Sequence, residues 1–337
     1  MIARSVIYAS DDWGIHDQRW VAALESCGFV VTVVTGSGAA ANIASADLPG
    51  APVLAGPLTT VTRHLVDLPR PIVGLSWGFD LQQDHGRASN ADELDWISAL
   101  DRLIVDSPSS AAIARSLGLP ADRIHLLPWG VDLDQFAPTG SATRFGFPGD
   151  SRIIASLRRH DDLHRTADVI EAFAIAAARD ANLRLVMAGS GPLTASHQSR
   201  VAELDLVERA IFPGQVDEST VAELLRGADA YVTATETDGT SVTLLQAMAC
   251  RVPVLASAIP GNDWWIQDGD TGRTFPVGDV DLLAELMTTD RPSDARLDRA
   301  RAAVIERADW LRNRQALREI MAFPESGESP KRRTDGT

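Results

Sequence analysis

Lysine is almost absent from this 337-residue chain, since the only one is Lys331, close to the end of the sequence. The rest of the chain therefore has no lysine to form a Schiff base or to bind phosphate, and any positive charge in a site has to come from Arg or His. The net charge of −15 argues against nucleic acid and against anionic membrane surfaces as partners.

Cysteine is also scarce, with Cys27 and Cys250 as the only two. Two distant cysteines form no disulfide framework and no metal-binding spacing, so a reduced cytoplasm is the expected location. No apolar run approaches the roughly 20 residues that a transmembrane helix needs. The short apolar start is quickly followed by Asp11 and Asp12, which is not typical of a signal peptide.

Short apolar runs alternate with amphipathic stretches, a pattern that indicates an α/β fold with parallel sheets. The length favours about two domains, and the polar segment 139–150 predicts the linker between them. The predicted strands are 6–9, 30–35, 71–75, 102–106, 153–157, 183–188, 210–212, 230–234 and 252–256. The predicted helices are 17–27, 93–100, 109–117, 167–179, 197–204, 218–226, 242–250, 280–287 and 295–321.

Residues 236–257 form the most informative stretch, because it combines a polar loop, a helix and a buried strand. The loop ends in Gly239, Thr240 and Ser241, immediately before the helix predicted over 242–250. A helix N-terminus carries unpaired N–H groups and a partial positive charge, which suit a phosphate. A nucleoside diphosphate is therefore the first ligand to consider.

This stretch resembles the donor-site motif of the retaining glycosyltransferases of family 4, also called glycosyl transferases group 1, which have the GT-B fold. The similarity lies in an acid, seven residues, a second polar position, Ala-Met-Ala, a turn and Pro-Val-Leu-Ala-Ser. Residues 123–138 and 266–275 resemble two further elements of the family. The resemblance extends over about 1–320 and is strongest over 150–280.

The resemblance implies two Rossmann-like domains that face each other across a cleft. Residues 1–140 are expected to form the acceptor-side domain and residues 150–304 the domain that binds the nucleotide sugar. In this fold a last helix crosses back to the first domain, which residues 305–321 would do here. The tail, residues 322–337, lacks apolar periodicity and is expected to be disordered.

The activity that the resemblance implies is transfer of a sugar from a nucleotide-diphosphate sugar to an acceptor hydroxyl. It implies a hexosyltransferase-like enzyme that retains the anomeric configuration and needs neither a metal nor another cofactor. Residues 1–145 contain nine Arg and sixteen acidic residues, so we expect a small or soluble saccharide-like acceptor rather than an anionic lipid. Two alternatives stay open: a GT-B enzyme of another class, such as a sugar-nucleotide hydrolase or epimerase, and a degenerate non-catalytic subunit that binds a partner protein.

Three residues are expected to be catalytic from the resemblance. Asp238 matches the acid that contacts the transferred sugar, Arg159 matches an arginine, and His164 occupies the position of a lysine. Each arginine or histidine here would stabilise the departing diphosphate, and His164 would do so only when protonated. Arg158, one position off, and Arg165, which follows His164, are expected to assist donor binding.

The donor loop contributes Gly239, Thr240 and Ser241, and Gln246 replaces the family's second acid, which holds the ribose. Arg251 replaces a glycine at a position that favours a positive φ. Trp264 and Trp265 are expected either to stack on the sugar or to pack in the core.

The first domain supplies candidates for the acceptor side. Gly14 would let the backbone approach a ligand, Asp17 is the expected N-cap of the first helix, and His16 lies between them. The acceptor-side candidates are Gly14, His16, Trp77 and Asp80, with Trp13, Gln83 and His85 as further lining residues. His160 and His164 are four residues apart, but the pattern offers no third ligand, so no metal site is expected.

Overall fold

Two parallel sheets of six strands each organise the chain. The computed structural model describes residues 4–48, 50–82 and 94–324. The chain divides into two compact units: unit 1 comprises residues 1–129 and 311–337, and unit 2 comprises residues 130–310. Among the described residues, no helix is both long enough and apolar enough to cross a bilayer.

The sheet of unit 1 has the strand order β2-β1-β3-β4-β5-β6, and all its pairs are parallel. The strands are β1 (Arg4–Ser10), β2 (Phe29–Thr35), β3 (Val53–Ala55), β4 (Ile72–Leu75), β5 (Arg102–Val105) and β6 (Ile124–Leu126). The helices are α1 (Ile15–Ser26), α2 (Ala39–Ser45), α3 (Thr60–Leu65), α4 (Phe79–Gln82) and α5 (Pro108–Ser116), with 3₁₀ turns at Asp95–Ala99 and Ala121–Arg123. The order of the strands reverses between β1 and β3, where open α/β sheets bind ligands.

The sheet of unit 2 has the order β12-β11-β10-β7-β8-β9 and is also parallel. Its strands are β7 (Arg152–Ser156), β8 (Leu183–Ala188), β9 (Ala210–Gly214), β10 (Ala230–Thr233), β11 (Val254–Ser257) and β12 (Arg273–Phe275). Its helices are α6 (Thr166–Arg179), α7 (Thr194–Glu203), α8 (Glu218–Gly227), α9 (Val242–Ala249), α10 (Pro260–Asp263), α11 (Val280–Thr289) and α12 (Asp294–Arg307). This is the Rossmann strand order, and it reverses between β7 and β10.

Both faces of the unit 2 sheet are covered, which explains why its strands read as continuous apolar runs. Tyr231 and Leu244 belong to the apolar cluster that includes α9. Phe173 and Val232 belong to a second cluster, which includes α6 and α11. Burial of the sheet between these two layers fixes the ends of β7 and β10, from which the polar loops emerge.

The segment predicted as an interdomain linker is packed within unit 2, whose boundary falls between residues 129 and 130. The guanidinium of Arg226 donates hydrogen bonds to the carbonyls of Gln135 at 3.0 Å and Ser141 at 2.6 Å. The amide of Thr143 donates to the carbonyl of Glu223 at 3.0 Å. These bonds hold the segment against α8, so it is not a free linker.

The single helix predicted over 295–321 is two helices, α12 and α13 (Trp310–Ile320). The break between the two helices follows from backbone hydrogen bonds to Val131. The amide of Val131 donates to the carbonyl of Ala308 at 2.7 Å, and the amide of Trp310 donates to the carbonyl of Val131 at 3.1 Å. From Leu311 onward the chain belongs to unit 1. Residues 325–337 of the predicted disordered tail lie outside the described residues.

Two local predictions in unit 1 need correction. The helix expected over 93–100 is a 3₁₀ turn over Asp95–Ala99. The N-cap of α1 is Gly14 rather than Asp17. Asp17 instead accepts hydrogen bonds from the amide of Gly14 at 2.7 Å and from the hydroxyl of Tyr8 at 2.9 Å, so it joins the helix start to β1.

Candidate functional site

The loops that follow β7 and β10 lie together at the point where the strand order of unit 2 reverses. The amide of Glu236 and the hydroxyl of Thr235 both donate to the carbonyl of Leu163, at 2.9 and 3.2 Å. These bonds connect the loop 157–165 to the loop 234–241. The carboxyl edge of a parallel sheet at such a reversal is the usual ligand site of this architecture.

Arg158 is the central cation of this edge. Its Nη2 lies 2.6 Å from Oδ2 of Asp238, and its Nη1 donates to the Ser241 hydroxyl at 2.6 Å. The side chains of Arg158 and Asp238 are only 11% and 17% exposed, so their charges interact with little screening by water. Burial is the largest influence and lowers the pKa of Arg158, but Asp238, Tyr231 and Asp161 together raise that pKa above its ordinary value.

Ser241 is the N-cap of α9, and its hydroxyl accepts a hydrogen bond from the amide of Leu244 at 3.4 Å. The same hydroxyl receives the guanidinium of Arg158, so the cation lies at the positive end of the helix. A helix start and a buried arginine together favour an anion with several oxygens.

Three buried polar atoms near the reversal have no hydrogen-bond partner among the described residues: Oγ of Ser156, Nε of Arg158 and Oγ1 of Thr233. Ser156 ends β7 and Thr233 ends β10, so all three belong to the same edge of the sheet. Buried polar groups are normally satisfied. The unused donor of Arg158 fits a ligand that carries additional acceptor oxygens.

The geometry distinguishes Arg159, the expected catalytic arginine, from its neighbour Arg158, which was expected to assist donor binding. Arg159, the predicted catalytic arginine, has a side chain that is 68% exposed, and its Nε lies 3.4 Å from a carboxylate oxygen of Asp161. Arg158 is the one that contacts both Asp238 and Ser241. The structure therefore places Arg158, and not Arg159, against these two residues of the donor loop.

His164 is held against Asp161, with its Nδ1 2.6 Å from Oδ1 of that carboxylate. Burial, followed by the neighbouring charge of Arg158, lowers the pKa of His164 although Asp161 acts in the opposite direction. His164 is thus neutral near pH 7 in this state. It supplies a cation at the predicted lysine position only if a bound anion raises its pKa.

Arg165 has a positive φ of 45° and precedes α6. Its Nε donates to Oδ2 of Asp168 at 2.7 Å, and its Nη1 lies 3.9 Å from Oε2 of Glu236. Glu236 is 61% exposed, so the longer pair is screened by water. Arg165 is a half-buried cation at the border of the loop pair.

Two glycines in the turn after β8, Gly189 and Gly191, are close to the loop of Arg158. A Cβ atom on Gly189 would come within 3.0 Å of the carbonyl oxygen of Arg158, and one on Gly191 would come as close to that of His160. The turn after β8 therefore packs directly on the backbone of the loop 157–165. In the sequence, two glycines shortly after a strand are the feature that indicates such a close approach of two backbones.

The remaining donor-loop residues are largely buried. Thr240 is 5% exposed and its hydroxyl lies 3.4 Å from the indole nitrogen of Trp265. Gln246, on α9, is 3% exposed. Trp265 is 1% exposed, so of its two predicted roles the structure gives it packing, not stacking on a sugar. Gly239 carries a carbonyl that lies against Gly261 of α10.

In unit 1, His16 belongs to an aromatic cluster. Its ring centroid lies 5.2 Å from that of Trp77 and 5.6 Å from that of Trp129. Trp20 packs on Trp129 at 4.8 Å, and the guanidinium of Arg19 lies 5.3 Å from the Trp129 ring. The structure thus brings two predicted acceptor-side residues, His16 and Trp77, into one group.

Asp80, another predicted acceptor-side residue, is engaged within unit 1. It accepts hydrogen bonds from the hydroxyl of Ser76 at 2.6 Å and from the amides of Leu58 and Trp77 at 2.9 and 3.1 Å. Burial raises the pKa of Asp80, although these donors oppose that shift. The carboxylate joins the loops after β3 and β4, which is a structural role. Gln83 and His85 lie outside the described residues.

Within the ranges that the structure describes, no group of three or more His, Cys, Asp or Glu is arranged to hold a metal ion. Of the predicted histidine pair, His160 has its Nδ1 2.9 Å from the hydroxyl of Thr194, and His164 contacts Asp161.

Comparisons with known proteins indicate the family to which this part of the chain is similar. Residues 142–298 match the family model described as Glycosyl transferases group 1. The chain is 33% identical over 167 residues to N-acetyl-alpha-D-glucosaminyl L-malate synthase of Bacillus anthracis, covering 48% of this chain and 43% of the relative. It is 32% identical over 235 residues to D-inositol 3-phosphate glycosyltransferase of Mycolicibacterium paratuberculosis, covering 66% of this chain and 52% of the relative. The matches thus span about half the length of these curated relatives.

Solved structures show the same fold. HepE from Anabaena, crystallised with UDP and glucose, has a TM-score of 0.76 at 16% identity, covering 93% of this chain and 98% of that one. Sucrose-phosphate synthase from Thermosynechococcus elongatus has a TM-score of 0.75 at 17% identity, covering 94% and 98%. At these identities the likeness concerns the fold alone, and it confirms the predicted GT-B class.

Proposed function

The chain belongs to the glycosyl transferases group 1 family through residues 142–298, and from this premise we propose that it transfers a sugar from a nucleotide-diphosphate sugar to an acceptor hydroxyl. One observation carries the proposal: the largely buried side chain of Arg158 lies between Asp238 and the N-cap of α9, where the strand order of unit 2 reverses. Two of the solved structures of this fold contain UDP with glucose or UDP-glucose, which supports a nucleotide-sugar donor.

The residues present suit the departure of a diphosphate. Arg158 and the first turn of α9 would stabilise the negative charge that develops on the leaving group. Asp238 would contact the transferred sugar, and Gln246 would face the ribose with an amide that both donates and accepts. The acceptor hydroxyl would attack from the face that the diphosphate leaves, so that the anomeric configuration is retained without a nucleophile from the protein.

We propose further that the reaction needs no divalent metal, because Arg158 supplies fixed positive charge to the leaving group. The proposed acceptor is a small or soluble saccharide-like molecule. The aromatic surface of His16 and Trp77 supports this choice, since aromatic rings pack well on the apolar faces of sugars.

Calorimetric titration with UDP, GDP and ADP tests the donor site. We expect one nucleotide to bind, and Arg158→Ala to weaken that binding by about 1.5–3 kcal/mol, the range for a hydrogen bond to a charged group. Arg159→Ala is the matched control and should change binding by less than about 1 kcal/mol, since an exposed ion pair contributes little. Equal binding by the wild type and Arg158→Ala would exclude this site.

Turnover of the matching nucleotide sugar tests the reaction class. Release of nucleoside diphosphate only when a saccharide acceptor is present indicates transfer, whereas release or isomerisation of the donor alone indicates a hydrolase or an epimerase. The anomeric proton of the product, followed by NMR, reports retention or inversion. Activity that persists in EDTA supports the metal-independent reaction, and loss that is rescued by a divalent ion contradicts it.

Two observations favour a second candidate, a non-catalytic GT-B subunit. His164 is neutral near pH 7 in this state, and Gln246 is uncharged, so two of the family's charged positions are weakened. A protein that binds none of the three nucleotides would favour this candidate over the transferase.

A further inference from the structure

The strongest feature that the proposed function does not explain is the closed ion pair between Arg158 and Asp238. Its two side chains come from loops on opposite sides of the strand reversal and are only 11% and 17% exposed. The carboxylate occupies one terminal nitrogen of the guanidinium and Ser241 occupies the other. The cation that would receive a diphosphate is therefore already paired within the protein.

We propose that Asp238 acts as an internal competitor for Arg158, so that a diphosphate has to displace the carboxylate before it binds. An arginine offers five N–H donors, and the Nε of Arg158 has no partner among the described residues. Each terminal nitrogen carries two N–H groups, and a diphosphate has enough oxygens to accept from both nitrogens together, whereas Asp238 accepts from Nη2 alone.

The exchange has to occur through side-chain rotation. A Cβ atom on Gly261 would come within 3.0 Å of the carbonyl oxygens of both Asp238 and Gly239, so the backbone of the loop lies directly against α10. Asp238 has a short side chain with one bond between its Cβ atom and its carboxylate. Rotation about its side-chain torsions moves the carboxylate away from Arg158 while the backbone stays in place.

The competition has a consequence for the choice of ligand, which rests on the proposed function. A carboxylate released from Arg158 is a buried charge, and it needs new hydrogen-bond donors. A free nucleoside diphosphate has no hydrogen-bond donor attached to its terminal phosphate, whereas a nucleotide sugar carries sugar hydroxyls there. Asp238 would thus weaken the binding of free diphosphate more than that of the intact donor, which favours release of the nucleotide product.

Calorimetric titration of the full chain with inorganic pyrophosphate, and separately with UDP, tests the competition. We expect Asp238→Asn to bind both anions at least about tenfold more tightly than the wild type, because the competing charge is gone while the shape of the side chain is kept. Glu236→Gln removes one negative charge from the same loop, at a residue that does not contact Arg158. It should change the affinity by less than about twofold.

Equal or weaker binding of pyrophosphate by Asp238→Asn would overturn the proposal, as would the absence of pyrophosphate binding in every variant. A tenfold gain in Glu236→Gln as well would also overturn it, because the effect would then be a general one of net charge. If Asp238→Asn does not fold, the wild type itself provides the test. Its Asp238 carboxyl ¹³C resonance should shift on addition of pyrophosphate, and an unchanged resonance at saturation would contradict the exchange.

These outcomes are separable from those of the proposed function. A wild type that transfers sugar, with no gain of pyrophosphate affinity in Asp238→Asn, leaves the transferase and removes the competition. Tighter pyrophosphate binding in Asp238→Asn, with no turnover of any nucleotide sugar by the wild type, leaves the competition and removes the transferase.

Discussion

Gly261 lies so close to Asp238 that a Cβ atom at position 261 would stand less than 3.0 Å from the carbonyl oxygen of Asp238. The contact is between two backbones, since Gly261 belongs to α10 and Asp238 to the loop before α9. A flexible side chain could yield to an added methyl group, but a carbonyl that belongs to a packed loop cannot move alone. The position of the donor loop therefore depends on the absence of a side chain at residue 261.

Gly261→Ala should displace the donor loop and lower both stability and nucleotide affinity. We expect a loss of about 1–3 kcal/mol in the free energy of unfolding, the usual cost of overpacking, measured by urea denaturation. Nucleotide binding should weaken in the same variant. Gly149→Ala is the matched control, because a Cβ atom there has no neighbour within 4 Å. Comparable losses in the two variants would show that the close approach is unimportant.

Arg251 adopts a φ of 59°, as expected for a residue at a position where the family has glycine. It follows the C-terminal end of α9, where the amides of Arg251 and Val252 donate to the carbonyls of Met248 and Ala247 at 3.1 and 2.9 Å. This is the Schellman arrangement, which requires a left-handed residue at that place. The turn is thus kept although its usual residue is absent.

Arg251→Gly should be more stable than Arg251→Ala by about 1 kcal/mol, because glycine adopts the left-handed conformation without the steric cost of a Cβ atom. Both variants lose the same pairs with Asp294 and Asp298, at 3.0 and 2.8 Å, so the comparison isolates the backbone term. Those carboxylates are well exposed, and their loss should cost little. Chemical denaturation measures the free energy of unfolding of both variants. An alanine variant as stable as the glycine variant would argue against backbone strain at residue 251.

The longer elements of the fold could be predicted from the sequence because each carries a full apolar period. The strand Leu183–Ala188 and the start of α8 coincide with their predictions. By contrast, Val53–Ala55, Ile124–Leu126 and Arg273–Phe275 were not predicted as strands. Three residues are too few to show an alternation, and only pairing with a neighbouring strand defines them.

The site could be predicted to the level of its loops but not of its side chains. Counting along the sequence assigned the catalytic arginine to Arg159, with Arg158 one position off, whereas in the structure it is Arg158 that contacts Asp238. The loop 157–165 contains a left-handed residue, Arg165, and several turns, so the sequence spacing does not fix which side chain points toward Asp238. Nor did the pattern reveal that Asp238 and Arg158 pair directly, because the two lie 80 residues apart.

The affinity for a nucleoside diphosphate should increase as the pH falls, owing to His164. Burial and Arg158 lower its pKa in the unliganded protein, and a bound diphosphate would raise that pKa by favouring the charged imidazole. Binding then takes up a proton, so the affinity is lowest above the liganded pKa and increases up to about tenfold per pH unit as the pH falls through the range between the two values.

The control for this prediction is His164→Lys, which carries its charge throughout that range. The terminal phosphate of the ligand has its own pKa of about 6, and its contribution is common to both proteins. Calorimetry should cover roughly pH 5 to pH 8, the range in which histidine titrates. Any difference between the pH profiles of the two proteins is then due to residue 164. Parallel profiles would mean that His164 does not interact with the bound anion.

Gln246 offers the sharpest test of how the donor is held. The side chain is 3% exposed on α9, and the resemblance of the sequence assigns this position to the ribose. Without a ligand, Gln246→Glu should be less stable than the wild type, since a buried carboxylate without a partner is costly.

With the nucleotide that binds best, the same variant should bind more tightly than the wild type, because a carboxylate accepts hydrogen bonds from the ribose hydroxyls more strongly than an amide does. The two effects should appear together as a lower melting temperature and a larger increase on ligand addition. Gln246→Met keeps the size of the side chain and removes its hydrogen bonds, so it should bind the nucleotide more weakly. If Gln246→Glu binds more weakly than the wild type, or Gln246→Met binds equally well, residue 246 does not face the ribose.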